Sequence, residues 1–508
     1  MRFAIGEPIL ADVWVSNRLD RLVITPRQFT YSHALSGVIR KALPGIRIHR
    51  SAEGMAIASQ NLWAVADLEN ALRDAELSVD LRWNAEARQF VANRIRARQV
   101  HPQLYAEVSK IRTGSQLVAE SYLTDINGLD VLDDHQWVNV AAMTLPESYG
   151  LCVFDEQGAG KTVTLIFAFD VLAARDEVDF ALILAPKSMV PEWPCDFQRF
   201  KGDLYKVEAI SGTRKQKRTA LGSGADVLVT NFETAVSMED ELRSLLRYYQ
   251  GRAMLVVDES FYIKNLDAGR TQALRRLREW CDRAFVLCGT PAPNAPQDLI
   301  QQFNIVDFGI AFDGVNIPDD RTQSLPAVQQ AIEQRGLFIR HLKTDVLLDL
   351  PVKSFNRVFV PLQPEQERVY AAALRNLILD LQAIDAVRRE AVRKFQEDNE
   401  TMLFVANPAA AGAGLTLHRA RLAIYESMSN QAAHYLQSLD RIHRRGQTRN
   451  VEYLILLCDQ TIELQEYDRL TIKERAAQQL LRDRVEEPIT RETMLQEAIA
   501  ANLLLEES

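Results

Sequence analysis

The segment from Asp155 to Thr162 reads Asp-Glu-Gln-Gly-Ala-Gly-Lys-Thr, and its residue types and spacing suit phosphate chemistry. It follows an apolar run typical of a strand and precedes a helical pattern. The glycines allow backbone N–H groups to turn inward around phosphates, and the following helix adds partial positive charge at its N-terminus. Lys161 can then reach the β- and γ-phosphates, and the Thr162 hydroxyl can bind Mg²⁺. The segment predicts a phosphate-binding loop. A chance Gly-Lys-Thr turn is the alternative, because the strict motif has Gly where Asp155 stands.

A second candidate is the acidic pair Asp258-Glu259, which follows the apolar run 254–257. Carboxylates at the C-terminal end of a sheet strand, in a chain with a phosphate-binding loop, supply a water-mediated Mg²⁺ ligand and a base that orients the attacking water. We assign these two roles to Asp258 and Glu259, respectively. Without the loop, the same pair would be interpreted as a solvated turn.

A third candidate lies in segment 437–447, where Arg441 and Arg444 are three residues apart and project from one side of a helix. A guanidinium that reaches the γ-phosphate from a second lobe stabilises the charge on the transferred group. The spacing therefore predicts two catalytic arginines. The alternative interpretation is a solvated basic helix face.

Short apolar runs separated by helical patterns place these candidates in an α/β fold. Runs of four to six residues rich in Val, Leu and Ile are typical of parallel strands covered on both faces. The first series comprises residues 150–154, 181–185, 226–229, 253–257 and 284–288. The second series comprises residues 358–360, 402–405, 422–425 and 453–457. The sequence therefore predicts two α/β lobes with parallel sheets flanked by helices.

The remaining segments set the predicted domain boundaries. Residues 1–110 predict a small N-terminal α+β module, with a strand at 22–25 and helices at 31–43, 64–75 and 84–100. We assign the first lobe to residues 111–305, a turn-rich linker or protrusion to 306–355, the second lobe to 356–470 and a charged helical tail to 471–508.

Length and composition restrict the class of protein. A chain of 508 residues predicts two or three domains, since single cores stop growing near about 250–300 residues. The net charge of −9 excludes a uniformly basic protein that coats nucleic acid, so any contact with DNA or RNA must use local basic patches. The five cysteines are scattered and predict neither a disulfide framework nor a zinc site. No segment approaches the roughly 18–20 apolar residues of a membrane span, and we expect a soluble cytoplasmic protein that contacts no membrane.

Taken together and in order, these residues resemble the motifs of the Swi/Snf-like ATPases, a branch of the superfamily-two helicase-related motors. The resemblance runs from about Leu132 to Glu463, and the Asp-Glu at the start of the phosphate loop, including Asp155, is itself typical of that family. The matching segments are His135-Gln136, 155–162, 184–188 with Trp193, 226–231, 258–265, 287–294, 342–346, 350–353, 410–417, 437–447 and 461–463. The compact size favours a bacterial or phage member.

The resemblance implies two RecA-like lobes that close on ATP and Mg²⁺. Nucleotide contacts are expected from Gln136, which would read adenine, and from Gln157, Gly158, Ala159, Gly160, Lys161, Thr162 and Gly414. The family generally translocates on double-stranded DNA without separating strands, and we expect a monomer on DNA. Expected DNA contacts are Lys187, Ser188, Thr230, Asn231, Lys264, Asn294, Gly412 and Thr416. The N-terminal module faintly resembles the substrate-recognition module of annealing-type members and could bind a protein partner, with an unrelated packing domain as the alternative.

Two departures from the family pattern bear on activity. Phe261 stands where the family has histidine, so we expect a hydrogen bond between the carboxylate motif and its neighbours to be absent. The stretch from Tyr370 to Phe395 is also too short for a complete second lobe, since a parallel strand–helix–strand unit needs roughly 30 residues. Either residues are missing at a join near 380–390, or a natural deletion has abolished motor action. The rival functions are therefore a nucleotide-gated DNA-binding scaffold with weak or no hydrolysis and, less well matched to the second-lobe residues, a metabolite kinase.

Overall fold

The computed structural model describes residues 9–360, 385–406, 417–425, 432–458 and 462–483, apart from 52–53, 66–67, 75–78, 115, 399 and 402. Three sheets organise these residues: one in an N-terminal module and one in each of two α/β lobes. None of the described helices combines the length and apolar character needed to cross a bilayer.

The N-terminal module is a five-stranded sheet with its own core. Its elements are β1 (Ile9–Val15), β2 (Arg21–Pro26), α1 (Ser32–Ala42), β3 (Ile48–Ser51), β4 (Gly54–Ala58), α2 (Leu68–Asp74) and β5 (Val79–Trp83). The sheet order is β3-β4-β2-β1-β5, with β1 antiparallel to β2 and parallel to β5. The predicted α+β class is confirmed, and so are the strand at 22–25 and the helix at 31–43. The four remaining strands were not predicted.

Helix α3 (Ala85–Thr113) joins the module to the first lobe. Its first turns, including Phe90, pack in the core of the module, whereas Leu104 and Ile111 near its end belong to the core of the first lobe. The helix predicted at 84–100 is present but continues to Thr113, with Pro102 inside it. One rigid element therefore links two cores.

The first lobe is a seven-stranded parallel sheet covered on both faces. Its strands are β6 (Gly150–Val153), β7 (Phe180–Leu184), β8 (Val207–Ala209), β9 (Val227–Thr230), β10 (Ala253–Asp258), β11 (Arg283–Leu287) and β12 (Phe338–Ile339), in the order β12-β6-β11-β10-β7-β9-β8. Its helices are α4 (Gln116–Glu120), α5 (Asp134–Met143), α6 (Lys161–Ala174), α7 (Glu192–Lys201), α8 (Arg214–Leu221), α9 (Phe232–Ser237), α10 (Glu239–Tyr248), α11 (Gly269–Arg278), α12 (Ile300–Asp307) and α13 (Arg321–Arg335). All five predicted strands are present, and their complete burial explains the unbroken apolar runs.

The segment 306–355, predicted as a turn-rich linker or protrusion, contains regular structure from residue 321 onwards. Helix α13 begins after Asp320, whose side chain accepts hydrogen bonds from the backbone of Thr322 and Gln323 at 3.0 Å each. Strand β12 then pairs with β6 at the edge of the first sheet. The first lobe therefore extends to residue 339 rather than 305, because the polar composition of this segment hides a helix with one buried face.

The second lobe contains a three-stranded parallel sheet in the order β13-β15-β14 among the described residues. Its elements are α14 (Lys343–Val346), which precedes the sheet, β13 (Lys353–Val360), α15 (Asp385–Glu397), β14 (Leu422–Tyr425), α16 (Ala432–Leu439), β15 (Val451–Cys458) and α17 (Ile462–Leu480). Residues 403–406 form no strand, so the strand predicted at 402–405 is wrong over the three described positions 403–405. The predicted join near 380–390 lies outside the described residues up to 384, whereas residues 385–390 belong to α15. Gly412, Gly414, Thr416 and the tail after Asp483 also lie outside the described residues.

Candidate nucleotide-binding site between the lobes

The phosphate-loop candidate forms a tight turn between β6 and α6. Gly158 and Gly160 adopt φ angles of 92° and 89°, a left-handed conformation that residues with a Cβ rarely adopt. Helix α6 then begins at Lys161, so the free N–H groups of its first turn face the loop. The expected strand–turn–helix context is present.

The Lys161 side chain lies inside this turn. It is 8% exposed, and its ammonium donates hydrogen bonds to the carbonyl oxygens of Asp155 at 2.9 Å and Glu156 at 3.3 Å, and to Gln157 Oε1 at 3.4 Å. These three oxygens satisfy the cation in the structure. Triphosphate oxygens would replace them as acceptors, so the site is built for an anion.

Asp155, which replaces the usual glycine, anchors the loop instead of facing it. Its buried carboxylate accepts hydrogen bonds from Asn139 Nδ2 at 2.5 Å and from the backbone nitrogen and Nδ1 of His341, both at 2.9 Å. Burial alone would raise the pKa of Asp155, but hydrogen bonding and positive charge from His341 outweigh it and hold the pKa below its usual value. The loop is thereby tied to α5 and to the chain that leaves β12.

Helix α5 supports the loop from the other side. His135 Nε2 lies 2.7 Å from the carbonyl oxygen of Ala159, and Gln136 Nε2 donates to the Gly160 carbonyl at 3.4 Å. Gln136 Oε1 also accepts a hydrogen bond from the backbone nitrogen of Asp133 at 2.9 Å, which caps α5. The structure therefore puts Gln136 against the phosphate loop, and its role in reading adenine stays a prediction.

Asp258 ends β10 in a buried position near the loop. Its Oδ1 accepts a hydrogen bond from the backbone nitrogen of Glu259 at 2.9 Å, and its Oδ2 accepts one from Trp193 Nε1 at 3.3 Å. Burial, together with the neighbouring charge of Glu259, raises the pKa of Asp258 to about 7. A nearby cation would restore the ionised form.

Glu259 occupies a strained backbone conformation, with φ 48° and ψ 55°. Left-handed geometry is uncommon outside glycine and persists where the surroundings enforce it, often at functional sites. Its Oε1 accepts a hydrogen bond from Gln157 Nε2 at 3.1 Å, whereas Oε2 is buried without a hydrogen-bond partner among the described residues. Burial raises the pKa of Glu259, although the charges of Lys161 and Arg441 oppose the shift.

The oxygen atoms of Asp258, Glu259 and Thr162 fit a magnesium ion bound together with a triphosphate. Two adjacent buried carboxylates, one with an unsatisfied oxygen, and the half-buried Thr162 hydroxyl at the start of α6 are hard oxygen ligands. Across the described ranges, no group of three or more His, Cys, Asp or Glu residues could hold a metal by itself. Mg²⁺ in nucleotide sites uses one or two carboxylates and takes its other ligands from phosphates and water, which agrees with this sparse set.

Arg441 and Arg444 lie in the turn that follows α16, which ends at Leu439, so their predicted placement on one side of a helix is wrong. Both residues nevertheless lie close to the site of the first lobe. A Cβ built on Gly158 would lie 3.2 Å from the Cβ of Arg444, so the backbones nearly touch at the phosphate turn. Arg441 is 3% exposed, and its charge acts on Glu259. Burial lowers the pKa of Arg444, whereas the charges of Asp440 and Asp196 oppose the shift. The structure therefore assembles one site from both lobes.

A buried ion pair that the sequence did not reveal fastens this arrangement. Lys343, at the start of α14, is 1% exposed, pairs with Asp440, and donates to the carbonyl oxygen of His443 at 3.1 Å. Its backbone nitrogen donates to Glu156 Oε2 at 2.8 Å. Lys343 thus connects the phosphate loop to the arginine segment, and only contacts far apart in sequence identify it.

The segment after β11 lies against the phosphate loop. A Cβ on Gly289 would lie 2.7 Å from Gln157 Oε1 and 2.9 Å from the backbone nitrogen of Gln157, so only glycine permits this approach.

Phe261 lies in a 3-10 turn and stacks on Tyr262 with ring centroids 4.5 Å apart, and its side chain therefore contributes no polar contact.

The candidate DNA contacts differ in their accessibility. Lys187 is exposed, and Ser188 and Asn231 are half-buried, with Asn231 Oδ1 accepting the Thr234 backbone N–H at 2.8 Å as the cap of α9. Thr230 is fully buried at the end of β9, so the structure does not bring its side chain to the surface.

Lys264 and Asn294 meet at one carboxylate. Lys264 pairs with Asp298 at 3.6 Å, and the backbone nitrogen of Asn294 donates to Asp298 Oδ2 at 2.9 Å. Lys473 of α17 donates to Asn294 Oδ1 at 3.0 Å. These residues, all partly accessible, lie together on the described surface.

Fold and site define a nucleotide-binding α/β protein whose site is shared by two lobes. The SNF2-related domain matches residues 63–406, more than half of the chain. The chain therefore belongs to the SNF2-related family, and the predicted Swi/Snf-like membership is confirmed.

Individual relatives match only part of their own length. A putative ATP-dependent helicase/translocase, YwqA of Bacillus subtilis, is 27% identical over 259 residues, which cover 48% of this chain and 27% of that protein. The DNA annealing helicase and endonuclease ZRANB3 of Bos taurus is 24% identical over 438 residues, which cover 66% of this chain and 39% of that protein. The chain thus spans between about a quarter and two fifths of these relatives. A solved Sulfolobus solfataricus SWI2/SNF2 ATPase core in complex with dsDNA is 18% identical, covers 69% of this chain and 92% of that chain, and has a TM-score of 0.39.

Proposed function

We propose that this protein is an ATP-dependent double-stranded DNA translocase or remodeller that hydrolyses ATP between its two lobes and moves along duplex DNA without separating strands. The observation that carries the proposal is the contact of Arg444 with the Gly158 turn, together with the charge of Arg441 on Glu259. A nucleotide pocket in one lobe does not need charged groups from the other. A motor whose lobes close on the nucleotide does need charged groups from both lobes, because these groups detect whether the nucleotide is bound.

The residues of the site divide the work of hydrolysis. Lys161 and the N–H groups of the glycine turn bind the triphosphate. Thr162 and Asp258 would hold the Mg²⁺ ion that accompanies the triphosphate, which neutralises charge on its β- and γ-phosphate oxygens. Glu259 orients the attacking water and accepts its proton, a role that its raised pKa suits. Arg441 and Arg444 stabilise the charge that develops on the transferred group.

Hydrolysis would drive motion because the site exists only when the lobes meet. Loss of the γ-phosphate removes the anion shared by Lys161 and the two arginines, which weakens closure and allows the lobes to separate. A DNA strand held by Lys187, Ser188, Asn231, Lys264 and Asn294 would then shift relative to one lobe in each cycle. Contacts to phosphates carry no sequence information, so we expect little sequence preference. The protein would act as a monomer, and its N-terminal module is available to a protein partner.

The proposal is tested by measuring ATP turnover without nucleic acid and with single-stranded, duplex and forked DNA, and with duplex RNA. We expect duplex DNA to stimulate turnover, and Lys161→Ala to abolish hydrolysis while preserving the fold as judged by circular dichroism. Arg444→Ala should lower turnover by a factor on the order of 10³ with a much smaller loss of nucleotide affinity. Retained turnover in Lys161→Ala would show that the phosphate loop is misassigned.

Phe261 favours one alternative, a nucleotide-gated DNA-binding scaffold with weak or no hydrolysis. Its ring cannot make the polar contact that the family histidine implies. The same assay separates the two functions, because a scaffold would bind duplex DNA in a nucleotide-dependent manner without stimulated turnover.

A further inference from the structure

Gln302, a fully buried residue of α12, bridges the carboxylate motif and the segment that carries Asn294. Its Oε1 accepts a hydrogen bond from Ser260 Oγ at 2.5 Å, and Ser260 directly follows Glu259. Its Nε2 donates to the carbonyl oxygen of Pro291 at 2.6 Å and to that of Asp298 at 2.9 Å. Both hydrogens of the amide are therefore used, in a position with no contact to solvent.

The two ends of this bridge lead to different functional regions. On one side, Ser260 and Glu259 belong to the hydrolytic site. On the other side, the Asp298 carboxylate binds the backbone nitrogen of Asn294 at 2.9 Å and pairs with Lys264 at 3.6 Å. A continuous chain of hydrogen bonds and peptide units therefore runs from the catalytic carboxylate to two candidate DNA contacts.

A second connection closes this chain into a ring. Gln157 of the phosphate loop donates to Glu259 Oε1 at 3.1 Å and lies against Gly289, two residues before Pro291. A displacement of the 289–298 segment would therefore act on Glu259 from two directions. Buried, fully satisfied polar networks respond in this way because each member loses its partner if one moves alone.

We propose that Gln302 is a positioning residue that couples DNA binding at Lys264 and Asn294 to the orientation of Glu259. Gln302 joins the carboxylate motif to the 289–298 segment through hydrogen bonds, whereas the Phe261 side chain, which stands where the family has histidine, cannot make such a bond. This inference rests on the proposed function, since it concerns how DNA stimulates ATP turnover. Gln302 itself touches neither nucleotide nor DNA in this scheme.

The test compares Gln302→Leu with Gln301→Leu, its neighbour on the same helix. Gln301 is also buried, at 7% exposure, and its Oε1 accepts a hydrogen bond from Asn304 Nδ2 at 3.2 Å, but it does not bridge the two regions. The measured quantity is the ratio of duplex-stimulated to DNA-free turnover. We expect Gln302→Leu to lower this ratio about tenfold, the usual size of a coupling between two sites, and Gln301→Leu to leave the ratio unchanged.

Ser260→Ala provides a smaller perturbation if Gln302→Leu destabilises the fold. It should lower the same ratio, and the double variant should lower it no further than Gln302→Leu alone, because both changes break one connection. The KM for ATP and the affinity for duplex DNA, measured by fluorescence anisotropy, should change less than twofold in each folded variant. If Gln302 had a purely structural role, its substitution would change the KM for ATP, the affinity for duplex DNA and the thermal stability, without a selective fall in the ratio of duplex-stimulated to DNA-free turnover.

Three results would overturn the coupling. One is an unchanged ratio in folded Gln302→Leu, and another is an equal fall in Gln301→Leu. The third is full additivity of Ser260→Ala and Gln302→Leu. In all three, stimulation of the unaltered protein by duplex DNA would leave the proposed function standing. Absence of stimulation in the unaltered protein would instead contradict the proposed function, and the coupling would fall with it.

Discussion

At the scale of single residues, Glu259 combines strain, burial and an unsatisfied oxygen at the centre of the site. Its left-handed backbone persists because Asp258, Gln157 and the 3-10 turn that follows hold it from several sides. Such strain costs about 1–3 kcal/mol and is retained where the surrounding structure enforces it. The combination agrees with a group that must orient water at one defined position.

Glu259→Gln removes the proposed base while keeping the shape of the side chain. The neutral amide cannot accept a proton from water, so we expect ATP to bind and turnover to fall by a factor of about 10² or more. Nucleotide binding by equilibrium titration and turnover by phosphate release measure the two effects separately. Unchanged turnover would remove Glu259 as the base.

The contact between Gly158 and Arg444 is tested by adding one methyl group. Gly158→Ala introduces a Cβ into a left-handed position, 3.2 Å from Arg444 Cβ, and so should disturb lobe closure. Gly224→Ala is the matched control, because Gly224 has φ +66° and no neighbour within 4 Å of an added Cβ. Both substitutions should cost about 1–2 kcal/mol of stability through backbone strain.

Only Gly158→Ala should also lower ATP turnover, by about 10², the loss expected when catalytic groups are misplaced by about an ångström. Thermal denaturation and turnover measured on both variants give the comparison. Equal turnover in the two variants would show that the close approach of the lobes at Gly158 has no catalytic role.

At the scale of secondary-structure elements, α3 holds the N-terminal module on the first lobe. Beyond its apolar contacts with both cores, it carries the buried His101, whose Nδ1 lies 2.5 Å from Tyr149 Oη and whose Nε2 lies 2.8 Å from the carbonyl oxygen of Arg335. Arg94 of the same helix pairs with Glu279 at 2.8 Å with little exposure of either side chain. The module is therefore attached through several buried contacts along one helix.

His101 predicts a specific acid sensitivity of this attachment. Burial lowers the pKa of His101 to about 4 from its usual 6.5, so the unfolded chain takes up a proton at a higher pH than the folded protein. The stabilising contribution is complete above pH 6.5 and is lost as the pH falls towards 4. Integrated over that window, it is about 3 kcal/mol.

His101→Gln keeps hydrogen-bonding groups but does not titrate. We expect urea unfolding of the variant to depend less on pH than that of the unaltered protein between pH 6.5 and 4, with parallel behaviour above pH 7. Identical pH profiles for the two proteins would contradict the assignment.

At the scale of the whole molecule, α17 connects the two lobes. Leu470 packs in the core of the second lobe, whereas Leu480 packs in the core of the first. Just beyond the helix, Asp483 pairs at 2.5 Å with Arg340, whose side chain is 12% exposed, and Arg340 also donates to the carbonyl oxygen of Phe154 beside the phosphate loop. Helix α17 therefore belongs to both lobes and contributes to the position of one lobe against the other.

Asp483→Ala should weaken this connection strongly. It leaves the Arg340 guanidinium buried without its carboxylate, which costs about 3–5 kcal/mol in comparable buried pairs. Arg482→Ala is the control from the adjacent position, because Arg482 pairs with Glu333 at 2.6 Å but is 70% exposed and should contribute less than about 1 kcal/mol. Urea unfolding measures the two free energies, and hydrogen exchange at α17 locates the loss. Equal losses of unfolding free energy in the two variants would show that the Arg340–Asp483 pair does not contribute strongly to the connection between the lobes.

The positions of the glycine turn and of the acidic pair were predictable because each is a short pattern attached to a strand that is itself visible in sequence. The turn that carries Arg441 and Arg444 was not, because their three-residue spacing predicted a helix. The five central strands of the first lobe were predictable for a related reason, since complete burial on both faces requires unbroken apolar runs. Spacing along the chain carried all of this information.

Other features depend on residues that are distant in sequence and meet only in the folded protein. The anchoring of Asp155 by His341, the pairing of Lys343 with Asp440 and the bridge from Ser260 to Pro291 through Gln302 leave no local pattern. Helix α13 and the extension of the first lobe to residue 339 were missed because polar and turn-forming residues mask an element with one buried face. The sequence by itself determined which groups are candidates for binding a triphosphate. Tertiary structure alone decided which groups hold them in place, because buried hydrogen bonds and ion pairs are specified by geometry between elements and not by composition within them.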